Sequence, residues 1–94
     1  MTTKEKKQLK REVLDWINEE RAKKGTAPRR FIKKGTHWSE SCPIANTLSN
    51  GYRARVGRNR WSWNGDYRSR KLPPQCVTFI YMFDKEAEFK ELEL

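Results

Sequence analysis

The fold of this chain is decided by residues 52–71, which read YRARVGRNRWSWNGDYRSRK. Apolar and charged residues alternate at the start of this stretch, and a period of two is typical of a β-strand with one buried face. If Tyr52 and Val56 face the core, Arg53 and Arg55 face solvent. The stretch therefore predicts a small sheet with a basic outer face.

A hairpin is predicted immediately after the two tryptophans of this stretch. Trp61 and Trp63 lie two residues apart, so they share one face of a strand. Asn64-Gly65 follows, and this dipeptide favours a two-residue type I′ turn because both residues tolerate positive φ. Such a turn places Trp61 opposite Arg68, where the ring and the guanidinium form a cation–π pair.

The whole chain of 94 residues is predicted to be one small α+β domain with its compact core in residues 39–94. Only 35% of the residues are hydrophobic, but the aromatic residues compensate because each of them buries a large area. In chain order, the predicted elements are an N-terminal helix at 2–24, a basic arm or linker at 25–38, a short second helix at 39–50, the strands of an antiparallel meander at 52–56, 60–63 and 66–70, an element at 75–83 that is either a strand or a helix, and a short C-terminal strand.

The N-terminal helix is predicted from its cap, its apolar stripe and its end. Thr2 and Glu5 fit a capping box, and Gly25 is a natural stop. The stripe follows the helical period and consists of Leu9, Val13, Trp16 and Ile17. It is predicted to pack on the rest of the domain. The alternative is a helix that docks on a partner or on a second copy of the chain.

The arm at residues 25–38 combines two apolar residues with four cations. Phe31 and Ile32 are expected to hold the arm against the domain. The flanking cations are Arg29, Arg30, Lys33 and Lys34. Two interpretations stay open: these side chains contact phosphates, or the arm is a plain solvated loop.

Residues 75–83 fit either a strand or a helix. Their β-branched and aromatic content favours a strand. Apolar residues at i, i+3, i+4 and i+7 and the prolines that precede them favour a helix.

Four short motifs resemble the core of a group of short proteins from actinobacteria and their bacteriophages. The motifs are CPIA at 42–45, LPP at 72–74, FI at 79–80 and FD at 83–84. The resemblance covers about residues 38–94 and implies a helix start, two strands, a helix that ends in Phe-Asp, and a final strand. It favours the helix for residues 74–83 and implies a bacteriophage or mobile-element source, but it carries no function to transfer.

Positive charge is concentrated in the middle of the chain. Residues 21–71 hold fourteen basic residues against two acidic ones, whereas residues 1–20 are balanced and residues 72–94 are acidic. The net charge is +9, and this uneven distribution concerns partners more than fold. The sequence shows no signal peptide or membrane span, and it has only two cysteines. It therefore predicts a cytoplasmic protein with reduced thiols.

An enzyme is not predicted, because the chain offers few of the groups that catalysis needs. His37 is the single histidine, and the glycines are isolated rather than gathered in a phosphate loop. A zinc site built on His37, Cys42 and Cys76 would have three ligands without the usual close spacing. No metal or cofactor is predicted, and both cysteines are expected to be buried, reduced and unligated.

Nucleic-acid binding, to DNA or RNA, is the predicted function. The planar fork of arginine donates two hydrogen bonds to phosphate, and aromatic rings among arginines can stack on bases. The predicted binding residues are Arg53, Arg55, Arg58, Arg60, Arg68, Arg70, Arg29, Arg30, Lys33, Lys34, Trp61 and Trp63. At least one of the two tryptophans is expected to be core. The alternative is a phage accessory protein that docks on an acidic host protein.

Overall fold

The structure is a computed structural model, and it describes residues 2–36, 38–66 and 68–85. The helices are α1 (Thr3–Lys23), α2 (Pro43–Leu48) and α3 (Pro74–Lys85), and the strands are β1 (Ala54–Val56), β2 (Arg60–Trp63) and β3 (Arg70–Lys71). The strands form an antiparallel sheet in the order β1-β2-β3. The predicted α+β class and the order of helices and strands are confirmed. The predicted C-terminal strand lies outside the described residues.

Helix α1 begins and ends with the predicted signals. The Thr2 hydroxyl accepts the Glu5 backbone N–H at 3.1 Å, and the Glu5 carboxylate accepts the Thr2 backbone N–H at 3.0 Å. At the other end, the N–H groups of Gly25 and Thr26 return to carbonyls of the last turn, which is a Schellman motif. Gly25 has φ of +71°, a conformation that glycine adopts without steric cost.

The helices and the sheet share one hydrophobic core. α1 packs on α2 and α3, and α2 packs on β1. The predicted stripe of α1 faces this core, with Trp16 half-buried at its edge. The Trp16 ring meets Trp61 edge-on at 5.3 Å between centroids, and Trp61 meets Trp63 in the same way at 5.4 Å. These three rings join α1 to the inner face of the sheet.

Residues 74–85 form a helix, as the resemblance implied. Cys76 and Phe79 are buried, whereas Val77 and Tyr81 are exposed. A strand with a period of two would have placed Val77, Phe79 and Tyr81 on the same face. The apolar spacing at i, i+3 and i+4 therefore decides this element, and the β-propensity of its residues does not.

The turn at Asn64-Gly65 forms, but it is not of the predicted type. The Asp66 N–H donates to the Trp63 carbonyl at 3.0 Å, which closes a four-residue turn. Gly65 has φ of +90°, and no non-glycine residue of the described chain has a positive φ. Positive φ at the second central position alone is the pattern of a type II turn, whereas type I′ requires it at both.

The hairpin register therefore differs from the predicted one by two residues. β2 and β3 pair Trp61 with Arg70, not with Arg68, and Arg60 with Lys71. A type II turn does not match the twist of the flanking strands as type I′ does, so the chain needs a longer connection before pairing begins. β3 accordingly starts at residue 70, not at 66.

The arm is a packed part of the fold. The Thr36 N–H donates to the Ser41 carbonyl at 2.8 Å. A Cβ at Gly35 would lie 2.5 Å from backbone atoms of Cys42 and Pro43, so only glycine permits this approach without moving the backbone. Elsewhere in the arm, Ile32 packs against the core as predicted, but Phe31 is exposed.

Candidate nucleic-acid interface

The outer side of the sheet and the turn between β1 and β2 carry a group of cations, which we call the basic face. It consists of Arg53, Arg55, Arg58, Arg60 and Lys71, all of them exposed. β1 and β2 alternate buried and accessible residues, and the cross-strand pairs Arg55–Ser62 and Arg60–Lys71 fix which side chains share the outer side. Arg58 lies in the turn between β1 and β2.

Arg53 and Arg55 face solvent as predicted, but the reason is only partly the predicted one. Val56 faces the core. Tyr52 is 66% exposed and precedes β1, so the prediction that it faces inward is wrong. The Lys24 ammonium lies 5.8 Å from the Tyr52 ring centroid and 5.4 Å from that of Trp63. The Tyr52 ring thus stays at the surface beside Lys24.

Trp61 and Trp63 do not belong to the candidate interface. They are 3% and 5% exposed, because the inner face of the sheet packs them against each other and against α1. The sequence predicted that at least one of them would be core, and both are. Neither ring is available to stack on a base.

The cations of the basic face differ in how far they are already engaged. The Arg55 guanidinium lies 3.3 Å from the Glu40 carboxylate. Arg60 donates to the Ser69 hydroxyl and to the Ser69 carbonyl, both at 2.8 Å. Within the described part of the chain, the side chains of Arg53, Arg58 and Lys71 make no hydrogen bond or ion pair, so their donors are open to a ligand.

Arg68 and Arg70 share one carboxylate, and Arg70 lies on the opposite side of the sheet from the basic face. Both guanidiniums lie beside Asp66, at 3.7 Å and 3.5 Å from its carboxylate oxygens. The pKa of this carboxyl is lowered, chiefly because it accepts the Arg68 backbone N–H and also because the two guanidiniums lie close by. Arg70 pairs with Trp61 and lies 5.3 Å from its ring centroid, on the inner side of the sheet. Asp66 therefore compensates part of the charge of this pair.

The four cations of the arm also have different roles. Arg29 is half-buried and donates to the Thr47 and Ser49 carbonyls at the end of α2, at 3.4 Å and 2.9 Å. Arg30, Lys33 and Lys34 are exposed. The Lys33 backbone N–H donates to the Thr47 hydroxyl, and the Asn46 side-chain amide donates to the Lys34 carbonyl. These two bonds hold this part of the arm on α2.

Sequence reasoning missed three exposed residues: Lys71, which belongs to the basic face, and Trp38 and Tyr52, which lie near the two ends of β1. Trp38 is 77% exposed, and its neighbour Ser39 accepts the Val56 N–H at 2.8 Å, which places Trp38 near the end of β1. Tyr52 lies just before the start of β1. Lys71 joins the face through its pairing with Arg60. Trp38 lies outside the apolar patterns of helical or strand period in this sequence, and that signal could have marked it as a surface residue.

Cys42 and Cys76 are free and buried, as predicted. Burial raises the pKa of the Cys42 thiol and raises that of Cys76 to about 12. The Cys42 sulfur accepts the Ala45 backbone N–H at 3.4 Å and caps α2. Both thiols are therefore neutral at physiological pH. His37, the third zinc ligand that the sequence offered, lies outside the described residues.

We expect both thiols to react slowly with a thiol reagent in the native protein at pH 7, because the reactive thiolate is scarce and the sulfur atoms are covered. The measurement is the time course of reaction with Ellman's reagent, with the protein unfolded in guanidinium chloride as the control. Rapid native labelling of two thiols would contradict the burial of these side chains.

No protein-family model matches this chain, and neither a curated protein nor a solved structure is significantly similar to it. The resemblance to actinobacterial and phage proteins thus stays a prediction. Among the described residues, no helix has the length and apolar character needed to cross a membrane.

Proposed function

We propose that this protein binds nucleic acid through the phosphate backbone, with the basic face as its contact surface. The observation that carries the proposal is the set of four exposed cations on one side of a short sheet, with a fifth, Arg58, in the turn that joins β1 to β2. Arginine and lysine donors at strand spacing suit the repeated negative charge of a sugar-phosphate backbone.

Phosphate contact positions a nucleic acid but does not read its sequence. We therefore expect similar affinity for oligonucleotides of different sequence. The exposed ring of Trp38, near the end of β1, takes the stacking role that the sequence had assigned to Trp61 and Trp63. This favours single-stranded over double-stranded ligands.

Substitution of Arg58 and Arg60 by alanine in one variant is expected to weaken binding to all sequences alike. Each lost phosphate contact also flattens the dependence of log K on log salt by about one unit, so the double variant should lose about one to two units of slope. The measurement is fluorescence anisotropy of labelled oligonucleotides between about 50 and 200 mM salt. The free energy of unfolding should fall by about 1 kcal/mol or less, because exposed charges contribute little to folding and the two hydrogen bonds from Arg60 to Ser69 are exposed.

The matched control is Lys4→Ala with Lys7→Ala, which removes the same charge from exposed positions of α1. Lys4 lies about 18 Å along the helix from Trp16, where α1 meets the sheet. Equal losses in the two double variants would show that net charge, and not the basic face, drives binding. If the wild-type protein binds no nucleic acid but captures an acidic host protein, and Arg58→Ala with Arg60→Ala abolishes that capture, the protein-docking alternative replaces this proposal.

A further inference from the structure

A polar groove of about 550 Å³ lies between the arm, α2 and the residues that precede β1. Three cations line it: Arg29 and Lys33 from the arm, and Arg53 from the basic face. We infer that this groove is a binding site for a phosphate group. The inference deepens the proposed function, on which the choice of phosphate over other anions rests.

Arg29 is positioned in advance for such a ligand. Two of its nitrogen atoms donate to the Ser49 and Thr47 carbonyls, and these bonds fix the plane of the guanidinium. An arginine side chain has five N–H donors, so three remain without an acceptor among the described residues. A donor group that is already held in place loses little freedom on binding, and its charge makes each hydrogen bond to a phosphate oxygen strong.

A second guanidinium lies behind the wall of the groove. Arg21 is 4% exposed and donates to the same two carbonyls that Arg29 uses. The pKa of Arg21 is lowered, mainly by burial and also by the charge of Arg29. No carboxylate of the described chain pairs with either side chain. An anion in the groove would relieve this uncompensated positive charge.

Glu40 is the one carboxylate that lines the groove, and it pairs with none of the three cations that line it. Glu40 lies 3.3 Å from Arg55, a residue of the basic face that is not part of the lining. The side chains of Lys33 and Arg53 are exposed and engaged by no other described residue. The groove thus offers three cations to a phosphate, while its single carboxylate is already paired.

The test is a titration of inorganic phosphate into the ¹⁵N-labelled protein, followed by NMR at constant ionic strength against chloride. We expect saturable shifts of the backbone amides of Lys33, Asn46 and Arg53. Arg53→Glu should weaken phosphate binding about tenfold or more, because a charged hydrogen-bond partner is replaced by a repelling group. The control Arg11→Glu makes the same charge change at an exposed position of α1, outside both the groove and the basic face, and should leave the affinity within about twofold. Shifts that do not saturate, or equal losses in both variants, would overturn the inference.

Two oligonucleotides of one sequence, with and without a 5′-phosphate, then identify the source of the group. A terminal phosphate monoester in the groove would make the phosphorylated strand bind more tightly, and Arg53→Glu would remove that difference. A backbone diester would make both strands bind alike, and Arg53→Glu would weaken both. Nucleic-acid binding without any saturable phosphate shift would refute the groove and leave the proposed function standing. Phosphate binding without nucleic-acid binding would refute the proposed function and leave the groove standing as a phosphate site.

Discussion

Replacing Trp61 by alanine is expected to lower the free energy of unfolding by about 3–5 kcal/mol. Trp61 is 3% exposed and lies on the central strand of the sheet. Its ring contacts Trp16 of α1 and Trp63 of its own strand, and the Arg70 guanidinium covers it. Alanine would leave a cavity where these three groups meet. The measurement is urea unfolding followed by far-ultraviolet circular dichroism, which does not depend on tryptophan emission.

Trp38→Ala is the matched control for this prediction. The same chemical change is made at a ring that is 77% exposed, where a substitution typically alters stability by less than about 0.5 kcal/mol. Similar losses in the two variants would contradict the burial of Trp61. If Trp61→Ala lowered the free energy of unfolding by much less than about 3 kcal/mol, the sheet would not pack on α1 through this ring.

The elements that could be predicted from the sequence are those with a complete local signal. α1 has a capping box at Thr2, an apolar stripe of helical period and a glycine stop, and each signal acts within a few residues. The basic face was predicted for Arg53 and Arg55 because the period of a strand sends alternate residues to opposite sides. Such features need no knowledge of distant contacts.

The hairpin register could not be predicted because it depends on the backbone conformation of one residue, Asn64. Asn64 can adopt positive or negative φ, and the sequence of the turn does not decide between them. In the folded chain its φ is not positive, and the pairing of β2 with β3 moves by two residues. The exchange of Arg68 for Arg70 opposite Trp61 follows from this, and so does the entry of Lys71 into the basic face. The type of one turn thus decides which cations lie together on the sheet.

The roles of the buried arginines were also beyond local reasoning. Arg21 occupies the last turn of α1, where a basic residue is expected for the helix dipole alone. Its actual partners lie at residues 27 and 47–49, and their positions follow only from the packing of the arm and α2. The sequence predicted Arg29 to be one of four surface cations of the arm. In the structure it is half-buried and donates to the carbonyls of Thr47 and Ser49.

Arg21→Ala is therefore expected to lower the free energy of unfolding by about 3 kcal/mol. The Arg21 guanidinium donates to the carbonyls of Ala27, Thr47, Leu48 and Ser49 at 2.7–3.3 Å. Three of these carbonyls lie at the end of α2, where a short helix leaves its last acceptors unsatisfied. Without Arg21 the Leu48 carbonyl would lose its charged donor, the Thr47 and Ser49 carbonyls would keep Arg29 alone, and the arm would lose its bond at Ala27. Urea unfolding followed by circular dichroism measures the loss.

Two further variants separate hydrogen bonding from the loss of charge or helix propensity. Arg21→Lys keeps the charge, but a single ammonium cannot bridge carbonyls on both sides of the guanidinium, so it should recover less than half of the loss. Arg11→Ala removes an exposed arginine from the same helix and should change stability by less than about 0.5 kcal/mol. Full recovery with lysine would assign the effect to charge at the helix end. If Arg11→Ala lost as much stability as Arg21→Ala, the effect would belong to α1 as a whole. The hydrogen bonds of Arg21 to the carbonyls of Ala27 and residues 47–49 would then contribute nothing specific to the fold.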